Sequence, residues 1–164
     1  MRVMVFGKAT KDTEAGVMPT QQAWEEMAQF YEELVKAGVL LAGEGLHPSS
    51  KGVRVHCSGE DRVVMDGPFA ETKELIAGFM IWEVKSMDEA IAWVKRGPMT
   101  GDSDVEIRPI FSPEDIGEAV SPEIQQEVEG RWAKTHPETR HDVSQGPCES
   151  TISPWLTTIL RFPL

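Results

Sequence analysis

Two amphipathic stretches, each set between short β-type runs, restrict this chain more than any other feature. The first opens at Pro19-Thr20. Trp24, Met27, Ala28, Tyr31, Leu34 and Val35 then recur at i, i+3, i+4 spacing, with Glu25, Glu26, Glu32, Glu33 and Lys36 on the other side. Gly38 stands where a C′ glycine belongs. The second begins at Ser86-Met87-Asp88-Glu89, a capping box whose Ser and Glu side chains each satisfy an unpaired backbone N–H. Its apolar stripe is Met87, Ala90, Ile91 and Val94, and Gly97-Pro98 stops it.

Around these helices lie apolar runs of strand length. Arg2 to Phe6 suits a central strand buried on both faces, and Val39 to Ala42 and Gly78 to Val84 follow. Val105 to Ile110 alternates as a half-exposed strand would. Lys8 to Met18 is polar, is broken by Gly16, and reads as a loop. Gly52 to Cys57 and Arg62 to Met65, separated by Ser58-Gly59-Glu60-Asp61, predict a β-hairpin. With that hairpin set aside the order is βαββαβ, the split ferredoxin-like unit: an α+β fold with helices on one face of an antiparallel sheet. Met4, Phe6, Phe79, Met80, Ile81 and Trp82 leave few polar residues for the other face. A second copy packed sheet to sheet, a homodimer about a two-fold axis, is therefore expected.

The domain occupies residues 1–111. An extension, 112–135, starts a helix at Ser121-Pro122-Glu123, with Ile124, Val128 and Trp132 on one face and an end near Ala133. Residues 136–164 turn to Pro, Gly, Ser and Thr without period and predict an irregular tail. The net charge of −11, with Lys and Arg scattered singly among acids, argues against nucleic acid or anionic membrane as partner. Met1 leads straight into a strand, and no apolar run approaches the ~20 residues needed to span a bilayer. Cys57 and Cys148 form no CxxC, so a cytoplasmic location is expected.

No metal or cofactor is expected. His56 and Cys57 are adjacent, so a strand sends them to opposite faces, and no HxH, HxxxH or CxxC spacing supplies a tetrahedral set. A GxSxG elbow, a P-loop and GxGxxG are all lacking. Chemistry concentrates instead in Asp66-Gly67-Pro68-Phe69-Ala70-Glu71-Thr72-Lys73-Glu74, four ionisable side chains beside a buried-type Phe. Burial beside Phe69 would raise a carboxylate pKa and Lys73 would lower it, which is how general acid–base pairs are tuned. Asp66 before Gly-Pro equally suits a turn cap, and Glu71 with Lys73 equally suits an exposed pair. Glu44 lies between two glycines, where backbones can approach a ligand. His47 precedes a proline. Arg54 and His56 share a strand face, fit for an acidic substrate or for the wet side of a hairpin.

Taken with Gly43-Glu44-Gly45-Leu46 and Gly78, the nine-residue string resembles the DGPF branch of the YCII-related proteins, over roughly residues 1 to 120. The resemblance implies a dimeric α/β barrel with a cleft between its halves, lined by the Asp66–Glu74 string, and no assigned reaction. Asp66 or Glu71 would act as base and Lys73 or Arg54 as anchor, with Glu44, His47, His56, Phe69 and Glu74 around the ligand. Other YCII-related proteins carry a His early in the first helix and an Asp near the end of the second. Here those places read Pro19-Thr20-Gln21-Gln22-Ala23 and Arg96-Gly97-Pro98. The expectation is a small-molecule-binding protein of unassigned activity. The alternatives are a lyase- or isomerase-like acid–base enzyme on a small polar or aromatic substrate, and a regulatory or scaffold dimer linked to sigma-factor signalling.

Overall fold

The structure is a computed structural model that describes residues 1–70, 74–99, 103–112, 115 and 120–135. Strand β1 (Arg2–Lys8) sends Val3 and Val5 to one side, where both are fully buried, and leaves Met4 and Phe6 half-buried on the other. It pairs antiparallel with β5 (Ile76–Glu83) and β6 (Val105–Pro109), and β2 (Leu40–Gly45) adds to the far side of β5. The sheet order β2-β5-β1-β6 is that of a ferredoxin-like α+β fold. Register aligns Gly43, Met80, Val5 and Ile107 across all four strands on the helix side. Glu44, Phe79, Phe6 and Glu106 align on the opposite side.

Helices α2 (Gln21–Lys36) and α3 (Met87–Arg96) supply the cover. Phe30, Leu34 and Ala90 join Val3, Val5, Val39, Met80, Trp82 and Val84 in one cluster, with Met27, Tyr31, Trp93 and Val94 packed against it. Trp82 meets Phe30 edge to face, ring centroids 6.4 Å apart, while its Nε1–H finds no partner among the described residues. Met80 and Trp82 thus belong to the helix side and not, as period alone suggested, to the other. The α2 stripe is also narrower than the spacing implies. Phe30 and Leu34, four residues apart, define the buried line, and Trp24 and Val35 fall at its rim, exposed. On α3, Ile91 is exposed and Trp93 packs in its place, 6.3 Å from Phe30 between ring centroids.

Local chemistry sets the helix ends. Thr20 caps α2, accepting the Ala23 N–H at 3.2 Å. A Schellman motif closes it: Val39 N–H reaches the Leu34 carbonyl and Gly38 N–H that of Val35, each at 2.9 Å, with Gly38 at φ +68°. Ser86 caps α3 through Glu89 N–H at 3.2 Å. Glu89 reaches back to the Lys85 N–H at 2.7 Å, one residue earlier than a standard capping box. The segment expected to be a loop holds a short helix, α1 (Lys11–Glu14). Thr10 and Thr13 satisfy each other's N–H groups at 2.8 and 3.2 Å, a polar signal that hydrophobic period does not register.

Between β2 and β5 the hairpin stands apart from the main sheet. Its strands β3 (Val53–Ser58) and β4 (Asp61–Asp66) pair with each other across the two-residue turn Gly59-Glu60, and every residue in them is exposed. On the sheet face away from the helices, Met4, Phe6, Phe79 and Ile81 are half-buried. Beside them Glu106 receives Lys8 Nζ at 2.6 Å and Arg108 Nε, which hold its carboxyl below the usual carboxylate range.

The chain divides into two units, residues 1–111 and residues 112–164, of which the second is described at 112, 115 and 120–135. In the second, α4 (Pro122–Thr135) begins with proline at its first helical position and carries a Glu127–Arg131 ion pair. Val128 and Trp132 are half-buried and Ile124 is exposed. The predicted tail, 136–164, lies outside the described residues.

Candidate functional site

At Gly45 the chain leaves the sheet, and Leu46-His47-Pro48 leads into a single 3₁₀ turn, Ser49–Lys51. The hairpin follows, and the chain returns through Asp66-Gly67-Pro68-Phe69 directly over that turn. Gly67 N–H donates to the Gly52 carbonyl at 3.0 Å. A Cβ on Gly67 would stand 1.8 Å from the Ser49 carbonyl oxygen, so only glycine permits the return.

Ser49 is the junction of this corner. Its N–H donates to both oxygens of the Glu14 carboxylate at 3.1 and 3.2 Å, and its Oγ–H donates to the same carboxylate. The same Oγ accepts the Phe69 N–H at 3.3 Å. The Arg54 guanidinium lies 4.0 Å from the Phe69 ring centroid, within cation–π range. Together these residues wall a cleft of about 330 Å³, which also receives Leu46, His47, Glu74, Leu75 and Ile76. The space is at the low end of the ~300–1,000 Å³ typical of small-molecule sites. Its walls combine two carboxylates, one guanidinium, one imidazole and an apolar floor.

Of the residues singled out in the sequence, His47, Arg54, Phe69 and Glu74 line this cleft. Glu44, His56 and Asp66 do not. Glu44 is exposed on edge strand β2, in register with Phe79. Its charge adds to burial in pushing the Tyr31 hydroxyl pKa above its ordinary value. His56 is exposed on β3 opposite Val63, and Asp66 is exposed at the end of β4 opposite Val53. Glu71 and Lys73 lie outside the described residues. Glu14 and Ser49 were not anticipated, because Glu14 sits in the segment that reads as a loop. The Thr10–Thr13 spacing is the one signal that marks a helical turn there. At the two places where the resemblance implies a His and an Asp, α2 opens on Gln21-Gln22-Ala23 and α3 ends on Lys95-Arg96. Among the described residues, no group of three or more His, Cys, Asp or Glu is placed to hold a metal. No helix among them is long and apolar enough to cross a membrane.

Sheet order, inserted hairpin and lateral cleft define a ferredoxin-like α+β domain with a small cleft at its hairpin corner. The chain belongs to the YCII-related domain family, whose model matches residues 1–114. It is similar to an uncharacterized protein of Rhizobium meliloti (strain 1021), 29% identical over 100 residues that cover 58% of this chain and 81% of the relative. Among solved structures it is similar to 5-chloro-2-hydroxyhydroquinone dehydrochlorinase from Burkholderia phenoliruptrix AC1100, in complex with 2,5-dihydroxybenzoquinone. That likeness is 17% identical with a TM-score of 0.38, covering 70% of this chain and 99% of the other, a level that carries no statement about activity.

Proposed function

We propose that this protein binds a small polar or aromatic molecule in the cleft beneath the hairpin, as a member of the DGPF branch. One observation carries the reading: His47, Arg54, Phe69 and Glu74, from three separated segments, converge on one small cavity with a guanidinium held over an aromatic ring. A merely structural corner has no need of an imidazole, a guanidinium and two carboxylates around open space. The test is a resonance-by-resonance titration of isotope-labelled full-length protein with a library of small aromatic and polar acids, alcohols and amides. The reading predicts shifts confined to the corner around Leu46, Phe69 and Ile76. Shifts scattered over the surface, or none, would refute it.

A second reading, general acid–base catalysis in the same cleft, is favoured by the Glu14 carboxylate. It is half-buried, positioned by Ser49, and shares the cavity with His47 and Glu74. Asp66 is exposed and does not line the cleft, so it is not placed to act there. Turnover of a bound library member, abolished in Glu14→Gln even at saturating ligand, would establish the reaction.

The protein is further proposed to be a homodimer. Support comes from Met4, Phe6, Phe79 and Ile81, four apolar side chains on the sheet face that no helix of the ferredoxin-like unit covers. Sedimentation should give twice the chain mass, and Phe6→Glu with Ile81→Glu should halve it. A wild-type monomer at micromolar concentration would end the dimer proposal.

A further inference from the structure

Among the described residues Arg54 is the one cation lining the cleft, and no carboxylate among them pairs with it, although Glu14 and Glu74 line the same cavity. Its contact is the Phe69 ring. Stacking fixes the guanidinium plane and leaves the N–H edge, the part that matches an oxyanion in a two-pronged fashion, for another group. Glu14 is the complementary element. An ionised carboxylate offers about four acceptor positions. Ser49 supplies two donors, one N–H shared between both oxygens and the hydroxyl. Acceptor capacity is left for a further donor.

The charge balance narrows the ligand further. The Glu14 and Glu74 carboxylates stand in the same cavity as the Arg54 guanidinium, so a bare anion is repelled as well as attracted. A neutral alcohol would leave Arg54 without an oxyanion. A molecule that brings both an oxyanion and an O–H or N–H donor satisfies the two walls at once, and Leu46, Leu75 and Ile76 take its apolar body. We propose that the cleft takes a small monocarboxylic acid bearing a hydroxyl or amino group on an apolar body. Its carboxylate is anchored by Arg54 and its donor group is received by Glu14. In this arrangement Ser49 is a positioning residue: it sets Glu14 on one side and, through the Phe69 N–H, the ring that carries Arg54 on the other.

This inference rests on the cleft being a binding site, and the test separates the two. Full-length labelled protein is titrated with 3-hydroxybenzoate, benzoate and phenol, with the Phe69, Leu75 and Ile76 resonances as readout. The expected result is that 3-hydroxybenzoate binds most tightly of the three. Arg54→Gln weakens it at least about tenfold while leaving phenol unchanged, as loss of a charge-assisted pair requires. Arg54→Lys, which keeps the charge without the fork, falls between. Glu14→Gln narrows the gap between 3-hydroxybenzoate and benzoate. If phenol or benzoate binds as well as 3-hydroxybenzoate and Arg54→Gln changes nothing, the ligand class is wrong while the cleft remains a site. If no probe moves those resonances, both the inference and the site reading fall.

Discussion

Val3, Val5, Leu34 and Trp82 have no accessible surface, whereas no residue of the hairpin strands β3 and β4 is buried. The two regions are built by different means. In the sheet–helix core, apolar side chains meet because strand period and helix period deliver them to one layer, and burial supplies the stability. At the hairpin corner a few directional contacts do the work: the Glu14–Ser49–Phe69 chain, the Gly67 return and the Arg54 stack. The core spreads its stability over many apolar contacts. A corner with few contacts is adjustable, and each of them matters singly.

Truncation in the core should have the largest effect. Leu34→Ala is expected to cost about 2–5 kcal/mol in denaturant unfolding. Val64→Ala on the hairpin, 63% exposed, should stay within about 0.5 kcal/mol. Equal costs would erase the contrast between the regions. Next comes Gly67→Ala, whose new methyl meets the Ser49 carbonyl. It should lose about 1–3 kcal/mol, the range for overpacking, and should move corner resonances while the Val3 and Val5 resonances stay in place.

Ser49→Ala removes one hydroxyl that both donates to Glu14 and accepts from Phe69. A cost of about 1 kcal/mol is expected. Hydrogen exchange should speed at the Phe69 amide and not at Met80. The smallest effect is electrostatic. Tyr31 is the only tyrosine, so phenolate absorbance reports it alone. Its titration should lie above the ordinary tyrosine value, first because of burial and second because of Glu44, and Glu44→Gln should bring it part of the way down. The unfolded chain loses this proton at lower pH than the folded one, so stability is full below the ordinary tyrosine range. It declines as pH rises from there through the raised folded value.

The fold was largely legible because its determinants are periodic. The α2 and α3 stripes, the Gly38 stop and the Ser86 start can all be read along the chain, and each lies where expected within a residue or two. What period could not settle was facing. Met80 and Trp82 alternate with Phe79 and Ile81, and only the register with Val3 and Val5 decides which pair meets the helices. Of the candidate site, Arg54 and Phe69 stood out by residue type, but their contact depends on the chain doubling back at Gly67. Glu14 was invisible for a related reason. Its partner Ser49 is 35 residues further on, and nothing local ties a short polar helix to a distant serine.

Among the described residues β3 and β4 pair only with each other, joined at a two-residue turn remote from the Gly52–Gly67 hydrogen bond at their base. The arm can therefore grow or shrink at its tip without disturbing Arg54, provided each strand changes by the same number of residues. An odd insertion would leave one residue unmatched and force a bulge. Length differences in this arm among relatives should accordingly be even, and the Gly59-Glu60 tip offers a place to graft a peptide or a fluorescent label.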